Sequence, residues 1–139
     1  MEFLQQGHNI LLVAVALASA IALLWPMLRP SGSKAVSPTE ATMLINREDA
    51  VILDVRESEE FATGHLPEAR NIPAKALKER LAELEKFKER PLIVCCATGM
   101  RSASACGQLK AAGFSRLHNL AGGIDAWRAA SLPLKKGTR

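Results

Sequence analysis

Nineteen consecutive residues, Ile10 to Leu28, carry no charge, and this stretch constrains the chain more than any other. It holds ten Ile, Leu and Val residues and five Ala. Wound as a helix at about 1.5 Å per residue it is roughly 28 Å long, close to the hydrocarbon thickness of a bilayer. At about −0.5 kcal/mol for each Ile, Leu or Val, insertion is favoured by on the order of 5 kcal/mol. A core helix this apolar needs neighbours on all sides, and the rest of a 139-residue chain is too short to supply them. A cleaved leader is the other alternative, since Ala18-Ser19-Ala20 has the small-residue pattern of a cleavage site. Against it, no Lys or Arg precedes the run, and apolar sequence continues for eight residues beyond.

The expected organisation is therefore an N-terminal anchor over residues 1–30 with its span at about 10–28, a linker at 31–35, one domain over 36–136 and a basic tail at 137–139. Arg29 and Lys34 flank the span on its C-terminal side, while Glu2 and His8 are the ionisable side chains before it. By the positive-inside rule the domain of this single-pass chain lies in the cytoplasm. Cysteine usage agrees: Cys95, Cys96 and Cys106 are odd in number and clustered, so they form no disulfide framework and suit a reducing compartment.

Past the linker, short β-branched or apolar runs alternate with helical patterns. Ser37-Pro38-Thr39-Glu40 is a helix start with Ser37 as N-cap and Glu40 closing a capping box, and that helix is expected to end near Asn46. Ala50 to Val55 reads as a strand ending at Asp54. Ser58 is placed to cap a short helix stopped by Gly64, and Ala69 to Ile72 is a second strand. Leu77, Leu81 and Leu84 recur at helical spacing between Ala74 and Phe87. Pro91 to Cys95 and Arg116 to Leu120 are two more strands, and Gly122-Gly123 opens a last helix around Ile124 to Ala130. This alternation predicts an α/β fold in three layers, with a mainly parallel sheet.

In such a sheet, ligands bind at the carboxyl ends of the strands, where Asp54 and Cys96 both fall. The segment Cys96-Ala97-Thr98-Gly99-Met100-Arg101-Ser102 runs from a buried strand through a tight loop into a helix closed by Gly113. Backbone N–H groups at a helix start have no intrahelical partners and converge on the loop, so a thiolate at Cys96 is stabilised and its pKa falls. Arg101 adds a planar fork of donors suited to an oxyanion. Ala97, Thr98, Gly99, Met100 and Arg101 are thus the expected binding residues around a Cys96 nucleophile, with Asp54 and Ser102 supporting them. Cys95 and Cys106 read as core, as does Trp127. His65 reads as a structural hydrogen-bonding residue.

The mixed-sign surface, with a net charge of +4, lacks the clustered basic face or stacking aromatics that nucleic-acid binding requires. Adjacent Cys95-Cys96 without a CxxC spacing argues against a metal, and the proposed chemistry calls for no organic cofactor.

The stretch from Ser37 to about Leu134 resembles a single-domain rhodanese, of the sulfurtransferase family. The matching residues are Leu53-Asp54-Val55-Arg56, Glu60-Phe61, Gly64-His65-Leu66-Pro67, Asn71-Ile72-Pro73, the Cys96 to Ser102 loop, Gly113-Phe114 and Leu120-Ala121-Gly122-Gly123-Ile124-Asp125-Ala126-Trp127. With its N-terminal span the chain is similar to inner-membrane-anchored bacterial members, which implies a three-layer domain with a sheet of about five strands, tethered to the inner (plasma) membrane. The resemblance implies that Cys96 accepts a sulfane sulfur from a small-molecule or protein donor, holds it as a persulfide, and passes it to a thiol or cyanide. Ala97, Thr98 and Met100 are neutral where thiosulfate-using members commonly carry basic residues, which leaves room for a protein persulfide donor.

Two alternatives remain at this stage. Counting from Cys95 gives five residues before Arg101, the loop length of a cysteine phosphatase or arsenate reductase, against four from Cys96. A rhodanese module that recruits partners at the membrane without turnover is the other.

Overall fold

The computed structural model describes residues 2–28 and 33–138. Arg29, the first residues of the expected linker and Arg139 of the expected basic tail lie outside the described residues. The chain divides into two compact units, Met1–Pro30 and Ser31–Arg139.

The first unit is one helix, α1 (Glu2–Leu28). Its stretch Gln6–Trp25 has a mean hydropathy of 2.1, is long and apolar enough to cross a membrane, and is nowhere buried.

The second unit is built on a five-stranded, wholly parallel sheet of β1 (Lys34–Val36), β2 (Val51–Asp54), β3 (Arg70–Asn71), β4 (Leu92–Cys95) and β5 (Leu117–Leu120). The strand order is β1-β5-β4-β2-β3. The helices are α2 (Pro38–Glu48), α3 (Ser58–Thr63), α4 (Met100–Ala111) and α5 (Gly123–Ala129), with a 3₁₀ helix over Ala74–Phe87.

Side chains alternate across the sheet with the two-residue period of a strand. Val51, Leu53, Leu92, Val94 and Cys96 share one buried cluster with Leu77 and Leu84 of the 3₁₀ helix and Ala105, Cys106 and Leu109 of α4. Ile52, Ile93 and Cys95 share the other with Ala41 of α2 and Ile124 and Trp127 of α5. Both faces are therefore covered, which is why β2 and β4 are apolar at nearly every position.

Four local expectations are corrected. Lys34 and Ala35, assigned to the linker, belong to the sheet: Lys34 to Val36 pair with His118 to Leu120. The N-cap of α3 is Glu57 rather than Ser58, and the Glu60 carboxylate accepts the Glu57 N–H at 3.2 Å. The helix begun by Ser37 runs past Asn46 to Glu48, and Ser37 Oγ accepts the Glu40 N–H at 3.1 Å. Finally, Ala74–Phe87 winds with the tighter 3₁₀ period despite strong α formers. Its start is tethered by Ala74 N–H to Val55 O at 3.0 Å, and buried Leu77, Leu84 and Phe87 pin it to the sheet, so tertiary contacts override propensity.

Candidate active site

β2 and β4 end side by side, Asp54 opposite Cys95, so the chain leaves both strands at one edge of the sheet. Cys95 and Cys96 then diverge. Cys95 points to the α2/α5 face and is fully buried, and that burial drives its thiol well above the ordinary range. Burial and a raised pKa both disfavour Cys95 as a nucleophile, and with it the longer phosphatase loop. Cys96 turns to the opposite face, under the start of α4.

The loop from Cys96 to Met100 is held by its carbonyl groups. Ile124 N–H donates to Cys96 O at 2.8 Å, and Asp125 N–H to Ala97 O at 3.1 Å, both from the first turn of α5. Asn119 Nδ2 donates to Gly99 O at 3.1 Å. With the carbonyls fixed, the amides turn inward, and Gly99 N–H donates to Cys96 Sγ at 3.0 Å. Gly99 itself caps α4 with φ 101°, a left-handed conformation that favours glycine. Gly123 is needed for a second reason: a Cβ there would collide with the Cys96 carbonyl oxygen and lie 2.7 Å from the Ala97 carbonyl carbon.

Burial by itself raises the Cys96 thiol pKa. The Ser102 hydroxyl and the N–H groups of Ser102, Gly99 and Thr98 outweigh it, and the net value falls below that of an ordinary thiol. The residue is only 1% exposed. Ser102 Oγ lies 3.5 Å from Sγ and also donates to Asn119 Oδ1 at 2.5 Å. A hydroxyl has one proton, so Asn119 and the sulfur compete for it.

Asn119 was not singled out in the sequence, yet it fastens both Gly99 and Ser102. The signal available was a carboxamide inside a short strand that begins and ends on leucine.

Asp54 bonds Arg56 rather than the amides of the Cys96 loop. It is fully buried and accepts the Arg56 N–H at 3.0 Å and the Arg56 guanidinium at 2.8 to 3.1 Å. Arg56 in turn donates to Gly64 O at 2.6 Å, tying β2 to the end of α3. His65 stacks on Phe61 at 3.7 Å and bonds its carbonyl at 2.9 Å, the structural part expected of it.

Arg101 does not reach over the loop. Its guanidinium engages Glu60 of α3 through both nitrogens, at 2.7 and 2.9 Å. That ion pair brings the Glu60 carboxyl down to about 2 and raises the Arg101 pKa. Ala97 borders a cleft of about 370 Å³ together with Glu59, Glu60, Asp125, Arg128 and Arg56. Met100 is 80% exposed beside the loop.

The Rhodanese-like domain family model matches residues 37–130, which covers β2 to β5, the loop and α5. The chain belongs to this family. As a rhodanese-like protein it is 36% identical over 132 residues to YibN, an uncharacterized protein of Escherichia coli K12, covering 94% of this chain and 92% of YibN. It is also 36% identical over 91 residues to a sulfurtransferase of Allochromatium vinosum, covering 66% of this chain and 83% of that one. Among solved structures, a rhodanese-related protein of Thermoplasma volcanium superposes with a TM-score of 0.64 at 30% identity, covering 73% of this chain and 97% of the other. Sulfurtransferase activity is thus supported at the level of the family, on a rhodanese-like α/β fold with a parallel five-stranded sheet.

Proposed function

We propose that this rhodanese-like protein is a membrane-tethered sulfurtransferase in which Cys96 carries the transferred sulfur. The observation that carries the reading is the Gly99 amide 3.0 Å from Cys96 Sγ, in a loop whose carbonyls are tied outward. A sulfur so placed is ionised more readily than a free thiol, and the same amides stabilise the anion after it has gained a second sulfur.

In the first half-reaction the Cys96 thiolate attacks the outer sulfur of the donor. A Cys96–S bond forms, the donor's S–S bond breaks, and the leaving group departs with the electron pair, as sulfite from thiosulfate or as a thiolate from a protein persulfide. In the second, an acceptor thiolate or cyanide attacks the terminal sulfur of the persulfide and Cys96 leaves as thiolate. The enzyme is restored and sulfur has moved without net oxidation. The lowered thiol pKa supplies thiolate without a general base.

The apolar stretch Gln6–Trp25 supports anchoring by one span, and the flanking charges support a cytoplasmic domain at the inner membrane. A second reading, a module that recruits partners without turnover, is favoured by the near-complete burial of Cys96.

Thiocyanate release by the purified full chain, supplied with a sulfane donor and cyanide, separates the two. Sulfur transfer requires that Cys96→Ser abolish release and that Cys95→Ser retain it. Silence of the folded wild type with thiosulfate and with a persulfide donor supports recruitment.

A further inference from the structure

The position of Arg101 bears on which donors the site accepts, an inference that rests on the sulfur-transfer reading above. An arginine beside an anionic loop would ordinarily be the group that receives a small oxyanion. Here both of its engaged nitrogens are taken by Glu60, and the carboxylate is itself fixed by the Glu57 N–H of its own helix. The pair is not hidden: the two side chains are 41% and 39% exposed, so it is open to solvent. Around the cleft next to Ala97 the remaining charges are Glu59 and Asp125 against Arg128, because Arg56 is buried and neutralised by Asp54. Glu60 thus turns a mouth of balanced charge, Arg101 and Arg128 against Glu59 and Asp125, into one with surplus negative charge.

We infer that Glu60 sets donor specificity, holding the Arg101 fork so that the mouth disfavours small dianionic donors such as thiosulfate and favours persulfides borne on neutral or basic groups. A dianion entering the cleft beside Ala97 meets Glu59, Glu60 and Asp125, and it must displace the Glu60 carboxylate to gain Arg101. A persulfide on a polypeptide with neighbouring Lys or Arg meets the same carboxylates as partners. Like-charge juxtaposition thereby rejects one donor class and complementary charge admits the other.

The experiment compares thiosulfate with cysteamine persulfide, a small donor whose ammonium group stands for the basic flank, using the full chain and its Glu60→Gln variant. Glutamine keeps the shape and the Glu57 contact while removing the charge. The readout is the ratio of the two kcat/KM values for loading sulfur onto Cys96. The ratio of thiosulfate to cysteamine persulfide is expected to rise at least tenfold in Glu60→Gln, chiefly through a lower KM for thiosulfate. In an Arg101→Ala background the same substitution is expected to shift the ratio by much less, because no fork remains to be released.

An unchanged ratio in Glu60→Gln, with unfolding midpoints equal to wild type, overturns the inference and leaves the pair a structural tie between α3 and α4. Failure of the wild type to load sulfur from either donor overturns the sulfur-transfer reading itself. Loading from both donors without a change of ratio overturns only the role of Glu60.

Discussion

Asn119 Oδ1 accepts the Ser102 hydroxyl at 2.5 Å, and the same hydroxyl oxygen lies 3.5 Å from Cys96 Sγ. The orientation of the carboxamide is fixed by its other end, which donates to Gly99 O. A charged sulfur is a stronger acceptor than a neutral amide oxygen, so ionisation of Cys96 turns the Ser102 proton toward sulfur. Ser102→Ala, which deletes that donor, and Asn119→Asp, which holds the proton more tightly, are both expected to raise the Cys96 pKa. The pH profile of Cys96 alkylation reads this directly: both variants shift the profile to higher pH, and superposition on wild type contradicts the network.

The same depressed pKa has a consequence for stability. An acid whose folded pKa lies below its unfolded value adds stability that is full above the unfolded value and is lost as pH falls through the folded one. Cys95 acts in the opposite sense, its raised pKa costing stability as pH climbs past the unfolded value. Cys95→Ala is therefore expected to flatten the loss of stability at alkaline pH, and Cys96→Ala to remove a gain there. Urea midpoints measured across the alkaline range test the two signs.

Gly123 is the closest approach of α5 to the loop. With φ 60° and no room for a Cβ against the Cys96 carbonyl, Gly123→Ala is expected to destabilise the domain by at least ~2 kcal/mol. It would also displace the Ile124 and Asp125 amides from the loop. Chemical denaturation together with the Cys96 alkylation rate checks both effects. An unaltered rate would show that the loop keeps its shape without α5.

Asp54 and Arg56 form a buried pair with side chains 0% and 5% exposed. Removing one charge leaves the other without compensation, so Asp54→Asn is expected to cost about 3 kcal/mol, read as a lower urea midpoint. A midpoint equal to wild type would mean that the bond from Arg56 to Gly64 O is sufficient alone.

For the N-terminal unit, the full chain is expected to stay in the membrane pellet after an alkaline carbonate wash. In intact spheroplasts its domain is expected to resist added protease, which digests it once the membrane is opened. Release by carbonate contradicts the span, and cleavage in intact spheroplasts contradicts the orientation.

Much of this arrangement was legible in the sequence where local signals act. The apolar strands β2 and β4, the proline and serine at the start of α2, and the glycine before α4 each have a cause within a few residues. The alternation that sends Cys95 and Cys96 to opposite faces follows from the strand period itself. Less legible was anything decided across the fold. Lys34-Ala35-Val36 carries no strand pattern and becomes β1 only by pairing with β5. Glu60 and Arg101 are 41 residues apart, so the fork had the sequence of an oxyanion receptor and the partner was invisible. Asn119 likewise acquires its role from Ser102 and Gly99, elements brought to β5 by the parallel crossover.

The most direct test of the central claim is the intact mass of the full chain and of its Cys96 peptide after incubation with a sulfane donor. The account predicts an added sulfur of about 32 Da on Cys96, removed by cyanide and absent in Cys96→Ser. Folded protein that gains no mass there, or gains it on Cys95 or Cys106 instead, would contradict it.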